Sequence, residues 1–144
     1  LDRLVAYRLH DIGDGGMILP LGGVELMVIP AHFLHSCGNF HVYDPLTKVL
    51  YTGDLGASLG LDYRLVPDFD AHLPFMVGFH ARHMGGNRAL RAWVEMVRPL
   101  DIECIAPQHG ACFQGKEMVG RLLDWLQDLE CGPDIMKYQL PTAL

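Results

Sequence analysis

Nowhere does an apolar run approach the ~18–20 residues that a membrane span needs, so no membrane segment is expected. Basic residues are in deficit: 11 Lys and Arg stand against 17 Asp and Glu, and the formal net charge is -6. That balance excludes a generally basic surface, and no nucleic-acid partner is expected. No repeat, low-complexity linker or block of like charge interrupts the chain. Cysteine is sparse, and Cys37, Cys104, Cys112 and Cys131 form no C-x-x-C pair. This rules out a zinc knuckle or a thioredoxin motif, and the four read as mostly buried, reduced thiols of a cytoplasmic protein. No charged-then-apolar leader is visible, so no signal peptide is expected. Leu1 is not a start methionine and falls directly in a strand-like run, so the chain reads as a piece of something longer.

What is present is a globular composition. Half of the 144 residues are hydrophobic and 19 % are charged, which suits one domain-sized unit. Leu4 to Leu9 reads as a short strand, followed by a turn over Asp11 to Gly16. Met17 to Pro20 and Val24 to Ile29 read as strands joined at Gly22-Gly23, with Pro30 ending the second. Ala31 to Gly38 is a histidine-bearing loop. Asn39 to Tyr43 and Val49 to Thr52 form a hairpin around Asp44-Pro-Leu-Thr-Lys48. A glycine-rich loop from Gly53 to Gly60 then holds Asp54.

The second half turns helical. Phe69 to Met84 reads as a helix, with Pro74 either disturbing it or lying in its first turns. Asn87 is placed to cap a helix running to Val97, with Leu90, Trp93, Val94 and Val97 on one face and Pro99 beyond its end. Asp101 to Ala106 is a strand stopped by Pro107. Gly115 to Glu130 is a helix burying Val119, Leu122, Leu123, Leu126 and Leu129, with Gly132 as its C-cap. The last dozen residues read as a tail or docking segment. Strands followed by helix, helix, strand and helix predict an α/β (α+β layered) fold, a mixed sheet with helices on one side.

Three polar residues follow strands and stand beside glycines: His35, Asp54 and His109. Imidazole and carboxylate are ligands for zinc or iron, and loops at strand ends are where sites are built. Their context is Pro30-Ala-His-Phe-Leu-His-Ser-Cys-Gly-Asn-Phe-His-Val-Tyr-Asp44, Val49-Leu-Tyr-Thr-Gly-Asp-Leu-Gly-Ala57 and Ile105-Ala-Pro-Gln-His-Gly110, together with Phe79-His-Ala-Arg-His-Met-Gly-Gly-Asn-Arg-Ala-Leu90.

In these segments the chain resembles the metallo-β-lactamase superfamily, and most of all its oxygen-binding di-iron branch, related to the metal domain of flavodiiron proteins. The resemblance implies that His35 ligates one metal, Asp54 bridges two and His109 ligates the second. It implies two Fe ions, or two Zn ions in the hydrolytic branches; no flavin module is recognisable in the sequence, so none is expected within this chain. The family's remaining ligands come from an H-x-[HE]-x-D-[H] run in the preceding half of an αββα sandwich. This chain contains no such run, so residues 1–144 read as a single unit, the C-terminal half of that domain. The preceding half or a second chain is then a required partner, and a lone chain is expected to be homo-oligomeric or poorly soluble, since half a sandwich leaves a sheet face bare.

Three functions follow from the resemblance. The first is a di-iron site binding, or reducing, dioxygen as a sensor or oxidoreductase. The second is a zinc hydrolase of thioesters, lactones or phosphodiesters, a small-molecule substrate in each case. The third is a non-catalytic half-domain. His32 and His83 are candidates for contact with the ligands rather than for ligation, although backbone hydrogen bonding is the plainer reading of His32. His41 alternates on a strand and faces solvent or a neighbour. His80 and His83, three apart, read as solvated or supporting. Cys37 reads as a small buried residue, and Met76, Met84, Met96 and Met118 as core filler.

Overall fold

The computed structural model describes residues 11–141; the strand expected over Leu4 to Leu9 lies outside them. Six strands form one mixed sheet in the order β1-β2-β3-β4-β5-β6. They are β1 (Met17–Leu21), β2 (Val24–Pro30), β3 (Phe40–Asp44), β4 (Val49–Tyr51), β5 (Cys104–Ala106) and β6 (Phe113–Gln114). The first three pairings are antiparallel hairpins, β4 and β5 run parallel, and β6 returns antiparallel. Consequently β2, β4 and β5 all point the same way, and their C-terminal ends share one edge of the sheet.

Side chains alternate across the sheet. In register, Met27, Tyr43, Leu50, Ile105 and Phe113 form one row. That row joins the buried core made with Leu90, Val94, Leu122 and Leu126. These last four come from α3 (Asn87–Val97) and α4 (Lys116–Asp128), which lie against that face. The neighbouring row, Val28, Val42, Tyr51 and Ala106, points to the opposite face, where Tyr51 is 50 % exposed.

The helical stretch expected from Phe69 to Met84 is broken at Pro74, the first of its two sequence readings. It divides into α1 (Phe69–His72), a 3-10 turn over Leu73–Phe75 and α2 (Val77–His83). Asp68 caps α1 through its side chain, bonded to Ala71 N–H at 2.9 Å.

Two expected caps are corrected. Asn87 is the first residue of α3, not its cap. Its N–H donates to the Asp134 carboxylate at 2.6 Å, and its side-chain amide donates to the carbonyls of Gln127 and Leu129 at the end of α4. Gly132 does not close α4, which ends at Leu129 in extended backbone; it opens a separate 3-10 turn over Gly132–Asp134. The carboxylate of Asp134, reaching 47 residues back, takes the first N–H of α3.

Burial also corrects several single-residue readings. Cys37 is exposed; Cys131 is buried, and Cys104 and Cys112 are half-buried. Met76 and Met84 are core residues, whereas Met96 is 42 % exposed. His41 is wholly buried, edge-on to Trp93 with ring centroids 5.1 Å apart. Ile135, Met136, Tyr138 and Leu140 are exposed, in keeping with a tail. Among the described residues no helix is long and apolar enough to cross a membrane.

Candidate metal centre

The shared C-terminal edge of β2, β4 and β5 carries three loops, and each holds one of the three residues singled out by sequence. Ligand sites in layered α/β folds sit at such edges.

The first loop, residues 31–38, is pinned at both ends. Ala31 N–H donates to Asn39 O at 2.9 Å and Phe33 N–H to Ser36 O at 2.8 Å, while Leu34 is buried beneath. This forces positive φ on two non-glycine residues, Phe33 (66°) and His35 (119°). Such backbone strain costs of order 1–3 kcal/mol and persists where the surroundings over-determine it.

The second loop follows β4. Gly53 turns at φ 54°, the Thr52 hydroxyl donates to Leu55 O at 2.6 Å, and Gly56 N–H donates to His80 Nε2 at 2.9 Å. The third loop is stitched to the second. Gln108 N–H donates to Gly53 O at 2.6 Å, Ser58 N–H to His109 O at 3.3 Å, and Ala111 N–H to the Ser58 hydroxyl at 3.1 Å.

The result is a row, with Asp54 between two imidazoles. Its Oδ2 lies 4.0 Å from His35 Nε2 and its Oδ1 lies 3.6 Å from His109 Nε2. Neither separation is a hydrogen bond. Asp54 Oδ1 is buried without any hydrogen-bond partner. An orphaned carboxylate oxygen is costly unless something cationic accounts for it. Donors about 2.0–2.2 Å from a shared ion stand about 3–4 Å apart, which is the spacing seen on both sides of Asp54. The donor set therefore fits metal. Among the described residues no three His, Cys, Asp or Glu side chains converge as ligands of a single ion. The row instead offers one imidazole and one carboxylate oxygen to each of two positions.

Around this row, His83 stacks on His35 with ring centroids 5.6 Å apart and planes 9° apart, and Phe79 stacks on His83 at 4.5 Å. His83 Nδ1–H donates to Phe79 O at 3.0 Å, which orients the ring. His32 does not join the row. Its Nε2–H donates to the Asp14 carbonyl at 3.2 Å, the plainer of its two sequence readings. His80 is not solvated but fully buried. Its Nδ1–H donates to Met76 O at 2.9 Å, so Nε2 is the acceptor that holds the Asp54 loop through Gly56. Burial lowers its pKa from 6.5 to about 4, against smaller upward pulls from the Met76 carbonyl and Asp54. The i, i+3 spacing of His80 and His83 hinted at a shared role. What sequence missed was Phe79, whose ring completes the stack, and Ser58, which carries no motif.

Gly110 shows how tightly the loops are fitted. At φ 90°, a Cβ there would lie 2.1 Å from Ser58 Oγ and 2.5 Å from Ser58 O. Gly110→Ala is therefore expected to cost at least ~2 kcal/mol, from left-handed strain plus the clash. Urea unfolding checks this; a variant within 0.5 kcal/mol of wild type, about the spread of neutral surface changes, would mean that the loops are not locked together.

Comparison with known proteins bears on the same features. A family model described as ODP family beta lactamase matches residues 3–110. No curated protein matches the chain. Among solved structures, one titled as a peroxy diiron species of chemotaxis sensor ODP is 45 % identical with a TM-score of 0.82, over 85 % of this chain and 53 % of that one. An apo state of chemotaxis sensor ODP from T. denticola is 44 % identical with a TM-score of 0.81, over 86 % and 52 %. The rubredoxin oxygen:oxidoreductase from Desulfovibrio gigas shares the fold at 17 % identity and a TM-score of 0.72, over 85 % and 32 %. The present chain thus spans about half the length of the sensor chains it matches.

Proposed function

The chain belongs to the ODP beta-lactamase family, and on that premise we propose that His35, Asp54 and His109 hold part of a two-iron centre that binds dioxygen. The observation that carries this reading is Asp54, whose two oxygens face two different imidazoles while one of them is buried with no partner. Histidine and carboxylate suit iron. When bound, such a metal pair supplies the electrons and the open coordination positions that dioxygen requires.

The chain's own residues hold and shield. The Nε2 atoms of His35 and His109 would offer lone pairs to the metals, and the Asp54 carboxylate would balance cationic charge on both sides. The three stitched loops fix the spacing before any ion arrives. The Phe79–His83 stack covers one side of His35 and limits its ring rotation. A sensing role is favoured by the two sensor structures, which are 45 % and 44 % identical; repeated reduction of dioxygen would in addition need an electron donor.

Three side chains cannot complete two coordination spheres, so this reading needs further ligands from beyond the described residues. The sheet face opposite the helices, carrying Val28, Val42, Tyr51 and Ala106, is the surface we assign to the preceding half of the sandwich. The twofold difference in length from the sensor chains supports that assignment. The test is elemental analysis of the full-length protein purified without added metal. About two irons per chain are expected; zinc at the same stoichiometry would favour a hydrolase, where metals activate water.

A further inference from the structure

The Asp54 row uses none of the four cysteines. Cys131 is buried and Cys37 stands exposed, whereas Cys104 and Cys112 are both half-buried. Strands β5 and β6 pair antiparallel, with Cys104 opposite Gln114 and Ile105 opposite Phe113. Ile105 and Phe113 are wholly buried on the helix side. Cys104 and Cys112 each precede one of them, so both point to the other face, as diagonal neighbours. Burial raises the pKa of the Cys104 thiol, and the charge of Cys112 and a hydrogen bond between the two side chains raise it further. The two thiols are therefore in contact.

Both backbones are fixed. Cys104 pairs with Val49 of β4 on its other side. Cys112 N–H donates to Arg64 O at 2.9 Å, and Val66 N–H donates to Cys112 O at 3.0 Å. The sheet, rather than a loose surface segment, brings the sulfurs together.

What the pair encloses is the third loop of the site. Residues 105–111 run from one cysteine to the other and include His109. Ala111, next to Cys112, donates its N–H to the Ser58 hydroxyl at 3.1 Å, and Ser58 N–H donates to His109 O at 3.3 Å. Diagonal neighbours in an antiparallel ladder stand ~7–8 Å apart, whereas a disulfide usually spans ~4.4–6.8 Å between Cα atoms. Closing the bond therefore draws Cys112 toward β5 and pulls on the stitched loops at Ala111.

We propose that Cys104 and Cys112 are a peroxide-oxidised pair whose disulfide shifts the His109 loop and weakens metal binding. One thiolate attacks a hydrogen peroxide oxygen. The O–O bond breaks, and the departing hydroxide takes up a proton, leaving a sulfenic acid. The second sulfur displaces that hydroxyl: the S–S bond forms, the S–O bond breaks, and a second water leaves. Two thiols and one peroxide thus give one disulfide and two waters, with two electrons passing from sulfur to oxygen. The pair lies on the face assigned to the preceding half, which suits a small, uncharged oxidant. The effect on metal binding rests on the proposed iron site; formation of the bond does not.

The test uses full-length protein carrying Cys37→Ser, so that the exposed thiol does not compete. Metal-free protein is treated with stoichiometric hydrogen peroxide, and its peptides are mapped by mass spectrometry. A linked Cys104–Cys112 peptide is expected, reversed by dithiothreitol and absent from Cys104→Ser and from Cys112→Ser. Amide exchange over residues 53–60 should rise on oxidation and stay unchanged in Cys112→Ser. Fe(II) affinity of the oxidised protein should fall at least ~10-fold, as when a ligand loses its support, while Cys112→Ser treated alike keeps its affinity. Recovery of the two cysteines only as unlinked species would overturn the proposal. So would a disulfide that leaves exchange and affinity unchanged. Reduced protein that binds no iron would instead contradict the iron reading, and the linked peptide and the exchange would still decide the proposal.

Discussion

Asp54→Asn is expected to have opposite effects on metal binding and on the metal-free fold. Iron affinity of the full-length protein should fall by more than ~100-fold, beyond the 10–100-fold typical of losing a mere supporting contact to a ligand. The amide keeps the shape of the carboxylate but brings no charge to offset two cations. Metal-free, the same variant should be at least as stable as wild type. There Oδ1 is buried with no hydrogen-bond partner, and the amide leaves no charged oxygen in that unpartnered position. Parallel iron titration and thermal unfolding of both proteins read the two effects. A variant that loses iron because it unfolds would show a large drop in metal-free stability, and that outcome would assign Asp54 to the fold rather than to the site.

The second large effect is loss of stability in acid. His41 and His80 are wholly buried, and burial lowers their pKa values from 6.5 to about 3 and about 4. Burial lowers His72 as well. A histidine whose folded pKa is depressed takes up its proton first in the unfolded chain. The stability that it contributes is present above pH 6.5 and is lost as pH falls toward the folded value. At pH 5 each of the two gives up about 2 kcal/mol, so unfolding free energy should drop by about 4 kcal/mol between pH 7.5 and pH 5. Urea midpoints of the metal-free protein at those two pH values measure this. His41→Asn should remove roughly half of the pH dependence. A midpoint that does not move across this window would mean that the two imidazoles are not held neutral in the core.

How much of this was legible from sequence depends on how local the cause is. Pro30, Pro99 and Pro107 closed elements where expected, because a missing N–H acts on its own neighbourhood. Pro74 broke the helical stretch for the same reason. The α3 cap was misread because the group that meets its first N–H, Asp134, lies far along the chain from Asn87, and the α4 cap because the chain turns extended at Leu129 before Gly132 is reached. β6, only Phe113–Gln114, is too short to carry an alternation pattern and exists through its pairing with β5. At the site, His35, Asp54 and His109 were marked by their surrounding words, and the structure brings the three together. The support around them was not marked. The stacking of Phe79, His83 and His35 joins two elements over 40 residues apart, and no periodicity encodes such a meeting. His80 shows the limit in the other direction: its residue type suggested an exposed or supporting role, and only burial beside Gly56 reveals that its acceptor nitrogen holds the loop.

The central claim, that this row of side chains serves a dioxygen-binding iron pair, is tested most directly by oxygen uptake. Full-length protein loaded anaerobically with about two Fe(II) per chain is titrated with dioxygen, and consumption is followed beside the absorption spectrum. Uptake of about one dioxygen per two irons, with a spectral change absent from Asp54→Asn at the same iron concentration, is the predicted result. Iron that binds without consuming dioxygen, or uptake that persists unchanged in Asp54→Asn, would contradict it.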